Sequence, residues 1–148
     1  MSKYYLAYGS NLNVRQMKMR CPTAKIVGTA VIKNYELLFK GSKTGSYLTI
    51  EKKKGSSVPV AVWEVQDFDE RSLDRYEGFP TFYYKKNFRI KNDGKTLNCF
   101  AYIMHEERSI GMPTHFYVRT VLEGYGFFRF DDDYIFRAIE KSEKEVRA

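Results

Sequence analysis

The sequence predicts an α+β fold, a mixed, curled sheet or small barrel with peripheral helices. Three observations predict it. Strand-like runs outnumber the helical stretches that could cross between them, which argues against a doubly wound parallel sheet. The apolar period switches from two to about 3.6 around residue 67 and again after residue 112. At 148 residues, with 43% hydrophobic side chains, the chain is long enough to bury a real core. We read residues 1–148 as a single domain.

The first element is an apolar and aromatic strand, Tyr4-Tyr5-Leu6-Ala7-Tyr8, which breaks into Gly9-Ser10-Asn11-Leu12. A strand that stops at Gly-Ser-Asn just before a helix leaves several N–H groups unpaired and similarly directed, a cradle for an anion or oxyanion. Gly9 permits close approach of a substrate. The plainer alternative is an Asn-capped strand-to-helix connection.

Asn11 or Asn13 caps a short helix from Val14 to Arg20 that Pro22 closes. Ala24 to Lys40 is β-rich and interrupted at Gly28 and Asn34, so it is two strands or one bent strand. Gly41 to Gly45 is a turn and Tyr47 to Glu51 a strand. Lys52 to Ser57 reads as a solvated hairpin loop, and Val58 to Val65 as a buried strand.

Asp67-Phe68-Asp69-Glu70 has the spacing of a capping box. It opens a helix with Phe68, Leu73 and Tyr76 on one side, stopped by Gly78 and Pro80. Phe82 to Ile90 and Thr96 to Met104 flank Asn92-Asp93-Gly94, a hairpin signal. Pro113 opens a helix carrying Phe116, Tyr117, Val121 and Leu122, with Gly124 and Gly126 at its end. Asp131-Asp132-Asp133 places negative charge at the start of a last helix. Its stripe is Tyr134, Ile135, Ala138 and Ile139, and the charged tail from Lys141 is expected to fray.

The net charge is +7, unevenly placed: residues 1–66 carry 11 Lys/Arg against 3 Asp/Glu, and the remainder is close to neutral. A basic half suits an anionic small molecule, a nucleic-acid face or a solvated surface. Lys85, Lys86 and Arg89 interleave with Tyr83, Tyr84 and Phe88. On a strand, however, neighbours point to opposite faces, so this is an amphipathic strand and no nucleic-acid partner is expected. No apolar run approaches the roughly 20 residues of a spanning helix, and no signal peptide is evident, so no membrane partner is expected. Cys21 and Cys99 form no CxxC pair, which suits a reducing cytoplasm. With only His105 and His115 beside them, they do not make a structural zinc site.

Glu77 is the carboxylate that stands out. It closes a helix, in Leu73-Asp74-Arg75-Tyr76-Glu77-Gly78, among apolar and aromatic neighbours. The negative end of the dipole and desolvation both disfavour its charge and raise its pKa toward that of a useful general base. An exposed last-turn Glu is the alternative. Tyr83, Tyr84 and Tyr117 can orient a polar substrate or simply pack in the core. Ser10 with a histidine base would be a nucleophile, but Gly9-Ser10-Asn11 lacks the second glycine of a nucleophile elbow.

Tyr8-Gly9-Ser10-Asn11-Leu12 after the first strand, Trp63-Glu64-Val65, Leu73-Asp74-Arg75-Tyr76-Glu77-Gly78 followed by Tyr83-Tyr84, and Pro113-Thr114-His115-Phe116-Tyr117 together resemble the gamma-glutamylcyclotransferase-like family. That family includes gamma-glutamylamine cyclotransferases and the plant avirulence-induced gene 2 proteins. The resemblance spans roughly residues 3 to 140. It implies a compact mixed-strand β-barrel with peripheral helices and cyclisation of a gamma-glutamyl amino acid or amine to 5-oxoproline, without metal, nucleotide or other cofactor. It implies that Glu77 is the catalytic base. It further implies that Tyr8, Gly9, Ser10, Asn11 and Leu12 bind substrate, and that Tyr84, or Tyr83 one residue earlier, and Tyr117 line the pocket. The Tyr8-to-Leu12 run points away from the glutathione-specific branch. The partner expected is a small gamma-glutamyl substrate, with the chain a monomer or homodimer. A non-catalytic small-molecule-binding or regulatory module on the same fold is the competing reading.

Overall fold

In a computed structural model, which describes residues 2–147, five strands form one mixed sheet. Strand β1 (Lys3–Ala7) lies in the middle, antiparallel to β3 (Tyr47–Val65) on one side and parallel to β5 (Lys95–Met104) on the other. Strand β2 (Lys25–Lys40) flanks β3, and β4 (Tyr83–Asn92) flanks β5, giving the order β2-β3-β1-β5-β4. The sheet curls without closing. Its two outer strands touch through side chains, with the Tyr35 and Phe88 rings 5.4 Å apart, but no ladder joins them. The expected barrel is therefore an open, curled sheet.

Within the long β2–β3 hairpin one open choice is decided and one expectation changes. Gly28 and Asn34 do interrupt β2, but only as irregularities in one bent strand, and Asn34 adopts a left-handed φ of 64°. Lys52–Ser57 is not a hairpin loop between two strands. It continues β3, with Tyr35 facing Lys52 and Lys33 facing Ser57, and residues 53–56 bulge out opposite Asn34. Gly55, at φ 87°, gives its N–H to the Asn34 side chain at 3.1 Å, so the polar segment keeps a backbone partner while its side chains stay in water. Asp93 and Gly94, both at positive φ, turn the β4–β5 hairpin.

Four helices pack around the sheet. Helix α1 (Val14–Arg20) is capped by Asn13, whose side chain accepts the Gln16 N–H. Helix α2 (Asp67–Glu77) starts one residue earlier in register than its sequence suggests: the Asp69 carboxylate accepts the Gln66 N–H at 3.0 Å. Of its expected apolar side only Leu73 is fully buried, while Phe68 and Tyr76 remain nearly half exposed. Glu70 and Asp74 instead reach the sheet, Glu70 pairing with Lys3 and Lys85, and Asp74 with Lys85 and the Tyr102 hydroxyl. Burial works against the Glu70 charge, but the two lysines hold its pKa below the usual carboxylate value.

Helix α3 (His115–Phe128) is capped by Thr114 and runs through Gly124 and Gly126 to a left-handed Arg129. Gly124 does not end the helix. A Cβ there would stand 2.5 Å from the Leu12 carbonyl carbon, so its bare backbone lets α3 settle on the loop after β1. Helix α4 (Asp133–Arg147) buries Ile135 and Ala138 and pins Lys141 to Glu36 of β2 at 3.1 Å, and its charged end stays helical rather than fraying.

Candidate active site

A cavity of about 300 Å³ opens where the end of β1, the end of α2 and the start of α3 converge. Its wall is mostly phenolic, with Tyr5, Tyr8, Tyr83, Tyr102 and Tyr117 around the single carboxylate Glu77. Helix α2 delivers that carboxylate because Gly78 takes a left-handed φ of 66° and ends the helix one residue after it. Burial raises the Glu77 pKa to about 7, and the positive charge of Arg20 limits the rise. The side chain thus sits at the boundary between acid and base near neutral pH.

The phenols are kept neutral. Burial raises the pKa of Tyr5, Tyr8, Tyr83, Tyr102 and Tyr117, and the Glu77 carboxylate raises each further. Their hydroxyls are fixed by the fold. Tyr8 donates to the Tyr102 carbonyl at 2.5 Å, Tyr83 to the Leu48 carbonyl at 2.9 Å, and Tyr102 to Asp74 at 2.6 Å. Tyr117 accepts the Leu48 N–H at 3.1 Å. Tyr5 accepts from the Asn11 amide at 2.9 Å.

The loop after β1 folds as a 3-10 turn, Ser10–Leu12, closed by the Leu12 N–H on the Gly9 carbonyl at 3.0 Å. The N–H groups of Ser10 and Asn11 precede that bond and have no acceptor inside the turn. Gly9, Ser10 and Asn11 line the cavity. The Ser10 hydroxyl lies 3.0 Å from that of Tyr76. Gly9 must be small because a Cβ there would meet the Tyr117 hydroxyl at 3.2 Å.

Most residues singled out in the sequence therefore meet in one place: Tyr8, Gly9, Ser10, Asn11, Glu77, Tyr83 and Tyr117. Two do not. Leu12 is fully buried beneath α3 and supports the turn from behind. Tyr84 points to the opposite face of β4 and hydrogen-bonds Glu106, so Tyr83 is the strand residue in the cavity wall. His105 binds the Pro80 carbonyl and is outside the wall, as is His115. Sequence reasoning passed over Tyr5, Tyr47, Leu48, Tyr76, Phe82 and Tyr102. The period-two pair Phe100 and Tyr102, on a strand parallel to β1, was the available signal for the last of these.

Nothing else among the described residues offers comparable chemistry. Cys21 and Cys99 are buried free thiols whose pKa burial raises to about 12 and about 11, so neither is nucleophilic near pH 7. Among the described residues, no group of three or more His, Cys, Asp or Glu side chains is placed to hold a metal ion, and no helix is long and apolar enough to cross a membrane.

Comparison with known proteins extends the same pattern. The chain is 32% identical to human gamma-glutamylcyclotransferase over 110 residues, covering 68% of this chain and 58% of the human one. It is 30% identical to the bovine gamma-glutamylcyclotransferase over 129 residues, 81% of this chain and 68% of the relative. A solved gamma-glutamyl cyclotransferase superposes with a TM-score of 0.80 at 25% identity, over all of this chain and 88% of that one. The family described as "Gamma-glutamyl cyclotransferase, AIG2-like" matches residues 5–119. A sheet, a loop and a carboxylate arranged this way, together with a family match over most of the chain, establish that the protein belongs to the gamma-glutamyl cyclotransferase, AIG2-like family.

Proposed function

We propose that the protein cyclises a gamma-glutamyl amino acid or amine to 5-oxoproline, with Glu77 as general base and then general acid. The observation that carries this reading is the Glu77 carboxyl, raised to about 7 and enclosed by neutral phenols. Such a substrate contains its own nucleophile, an α-amino group that is protonated near neutral pH. Glu77 takes one proton from it, and the freed nitrogen attacks the γ-carbonyl carbon. A new C–N bond closes the five-membered ring, and the carbonyl oxygen takes the charge. The ring nitrogen, left cationic by the attack, sheds its second proton. As the tetrahedral intermediate collapses, the bond to the departing nitrogen breaks, Glu77 returns a proton to it, and the second proton leaves with the released amine as its ammonium form.

The wall supports each step. A cavity of about 300 Å³ holds a glutamyl chain folded, and ring closure within one molecule avoids the entropy of bringing two reactants together. Ser10 and Asn11 line the cavity, and their N–H groups, which have no acceptor inside the turn, suit either the oxyanion or the α-carboxylate. Tyr5 and Tyr117, whose hydroxyls accept hydrogen bonds from the protein, keep their own protons to donate to an anionic substrate, and as neutral phenols none of the wall tyrosines repels it. The excess of Lys and Arg in residues 1–66 suits the same charge.

The test is 5-oxoproline release from gamma-glutamyl-alanine, gamma-glutamyl-epsilon-lysine, gamma-glutamyl alkylamines and glutathione, with Glu77→Gln as control. Product from one class, lost in the control, is the expected result. Binding without product from any of them moves the reading to a small-molecule-binding module.

A further inference from the structure

Arg20, the last residue of α1, is absent from the cavity wall, yet it touches two of the elements that build it. Its Nη1 donates to the Asn11 side-chain Oδ1 at 2.6 Å, and its Nη2 to the Gln16 Oε1 at 2.8 Å. Its guanidinium carbon lies 3.5 Å from the centre of the Tyr76 ring, the residue immediately before Glu77. We propose that Arg20 is a positioning residue that clamps the Ser10–Leu12 turn to the end of α2 and holds a fixed positive charge over Tyr76, the residue next to Glu77. The inference rests on the catalytic reading of Glu77 above for its functional meaning.

The clamp has a mechanical side. Asn11 passes the contact on, because its amide donates to the Tyr5 hydroxyl in the cavity wall. Tyr76 passes it back, because its hydroxyl meets that of Ser10 at 3.0 Å. One planar guanidinium thus holds the Asn11 side chain of the loop and the helix end that carries the carboxylate. Lysine has neither the fork nor the flat face needed for both contacts.

It also has an electrostatic side. The titratable groups that feel Glu77 are Tyr5 and Tyr8 from β1 and its loop, Tyr83 from β4, Tyr102 from β5 and Tyr117 from α3. All are neutral phenols near pH 7, and none offsets the burial of a carboxylate. Arg75, on the same helix, also lines the cavity, but its guanidinium bonds Ser72 at an exposed site and does not shift the Glu77 pKa. Arg20 is the cation that lowers the Glu77 pKa against burial. Without it the carboxyl would hold its proton to higher pH and be a poor base at neutrality.

The experiment is a carbon-13 NMR titration of the Glu77 carboxyl in the whole chain, run beside the pH dependence of kcat/KM for the best substrate of the panel. Arg20→Gln is the main variant. Arg20→Met, which keeps the stem over Tyr76, replaces it if the Gln variant does not fold. Arg20→Lys retains the charge. In either neutral variant the midpoint should rise by about one pH unit, and kcat/KM at pH 7 should fall about five-fold and recover by about pH 9. The Lys variant should keep the wild-type midpoint while KM rises, because the charge remains and the clamp does not. A wild-type midpoint in the folded neutral variant overturns the proposal. Because the titration does not depend on turnover, a shifted midpoint in a protein that releases no 5-oxoproline would uphold the Arg20–Glu77 coupling and sink only the cyclotransferase reading.

Discussion

The Tyr8 hydroxyl donates to the Tyr102 backbone carbonyl at 2.5 Å, across 94 residues of chain. Tyr8 leads into the turn at Ser10–Leu12, and Tyr102 sits on β5, the parallel neighbour of β1. The bond ties the candidate substrate loop to the strand that forms the opposite wall. Tyr8→Phe keeps the ring and removes the donor. Chemical denaturation should show a loss of about 1–2 kcal/mol, the usual cost of leaving a buried acceptor with one partner fewer. An unchanged unfolding midpoint would mean that this bond contributes nothing to the wall.

Glu77 makes an opposite prediction for stability. Its folded pKa, about 7, lies above the ordinary carboxylate value of 4.5, so the folded state binds this proton more tightly than the unfolded chain. The associated stability is fully present below about pH 4.5 and is lost as pH rises through about 7. Above that, the folded protein bears a buried charge that the unfolded chain would solvate. Glu77→Gln carries no such charge and should be more stable than the parent at pH 8, by roughly 2 kcal/mol after allowing for the partly exposed position of the group. The two proteins should converge at pH 4. Melting curves at both pH values decide it, and equal stability at pH 8 would remove the buried-charge account of Glu77.

Gly124 of α3 tests how closely the loop is packed. A methyl group there would stand 2.5 Å from the Leu12 carbonyl carbon and 2.6 Å from its Cβ. Backbone atoms cannot swing aside as a flexible side chain can, so α3 or the turn must move. Gly124→Ala should cost about 1–3 kcal/mol despite its better helix propensity. Gly126→Ala, with open space around its Cβ, should be neutral or mildly stabilising. Comparing the two by thermal unfolding separates close packing from the general effect of glycine in a helix.

These cases also show what the sequence could carry. Local signals were readable: Asn13 as a cap, Asp93-Gly94 as a hairpin turn, Gly78 as the stop after Glu77. Each is set by a few neighbouring residues. Lys52–Ser57 misled because its side chains are polar, whereas its strand state comes from pairing with β2 more than a dozen residues away. Gly124 misled because a glycine inside a helix looks like a terminator, and its reason lies in Leu12, across the fold. Closure of the sheet is likewise a property of β2 and β4, which are distant in sequence. The cavity was half legible for the same reason. The loop and Glu77 lie in short motifs, but Tyr5 and Tyr102 meet only through the parallel pairing of β1 and β5.

The choice between Tyr83 and Tyr84 was the finest of these questions, since one residue of strand parity decides which face each occupies. The β4–β5 register, with Tyr83 opposite Met104, turns Tyr83 into the cavity wall, where it donates to the Leu48 carbonyl at 2.9 Å. Tyr84 faces away and bonds Glu106 at a half-exposed site. Tyr83→Phe should therefore cost about 1 kcal/mol of stability and raise KM for the proposed gamma-glutamyl substrate several-fold. Tyr84→Phe should leave kcat/KM within about two-fold of the parent, because the pair it breaks is half in water and outside the cavity. The pairing of the two variants makes the result decisive. If Tyr84→Phe is the one that loses activity, then substrate contacts the outer face of β4 and the catalytic cavity has been misplaced.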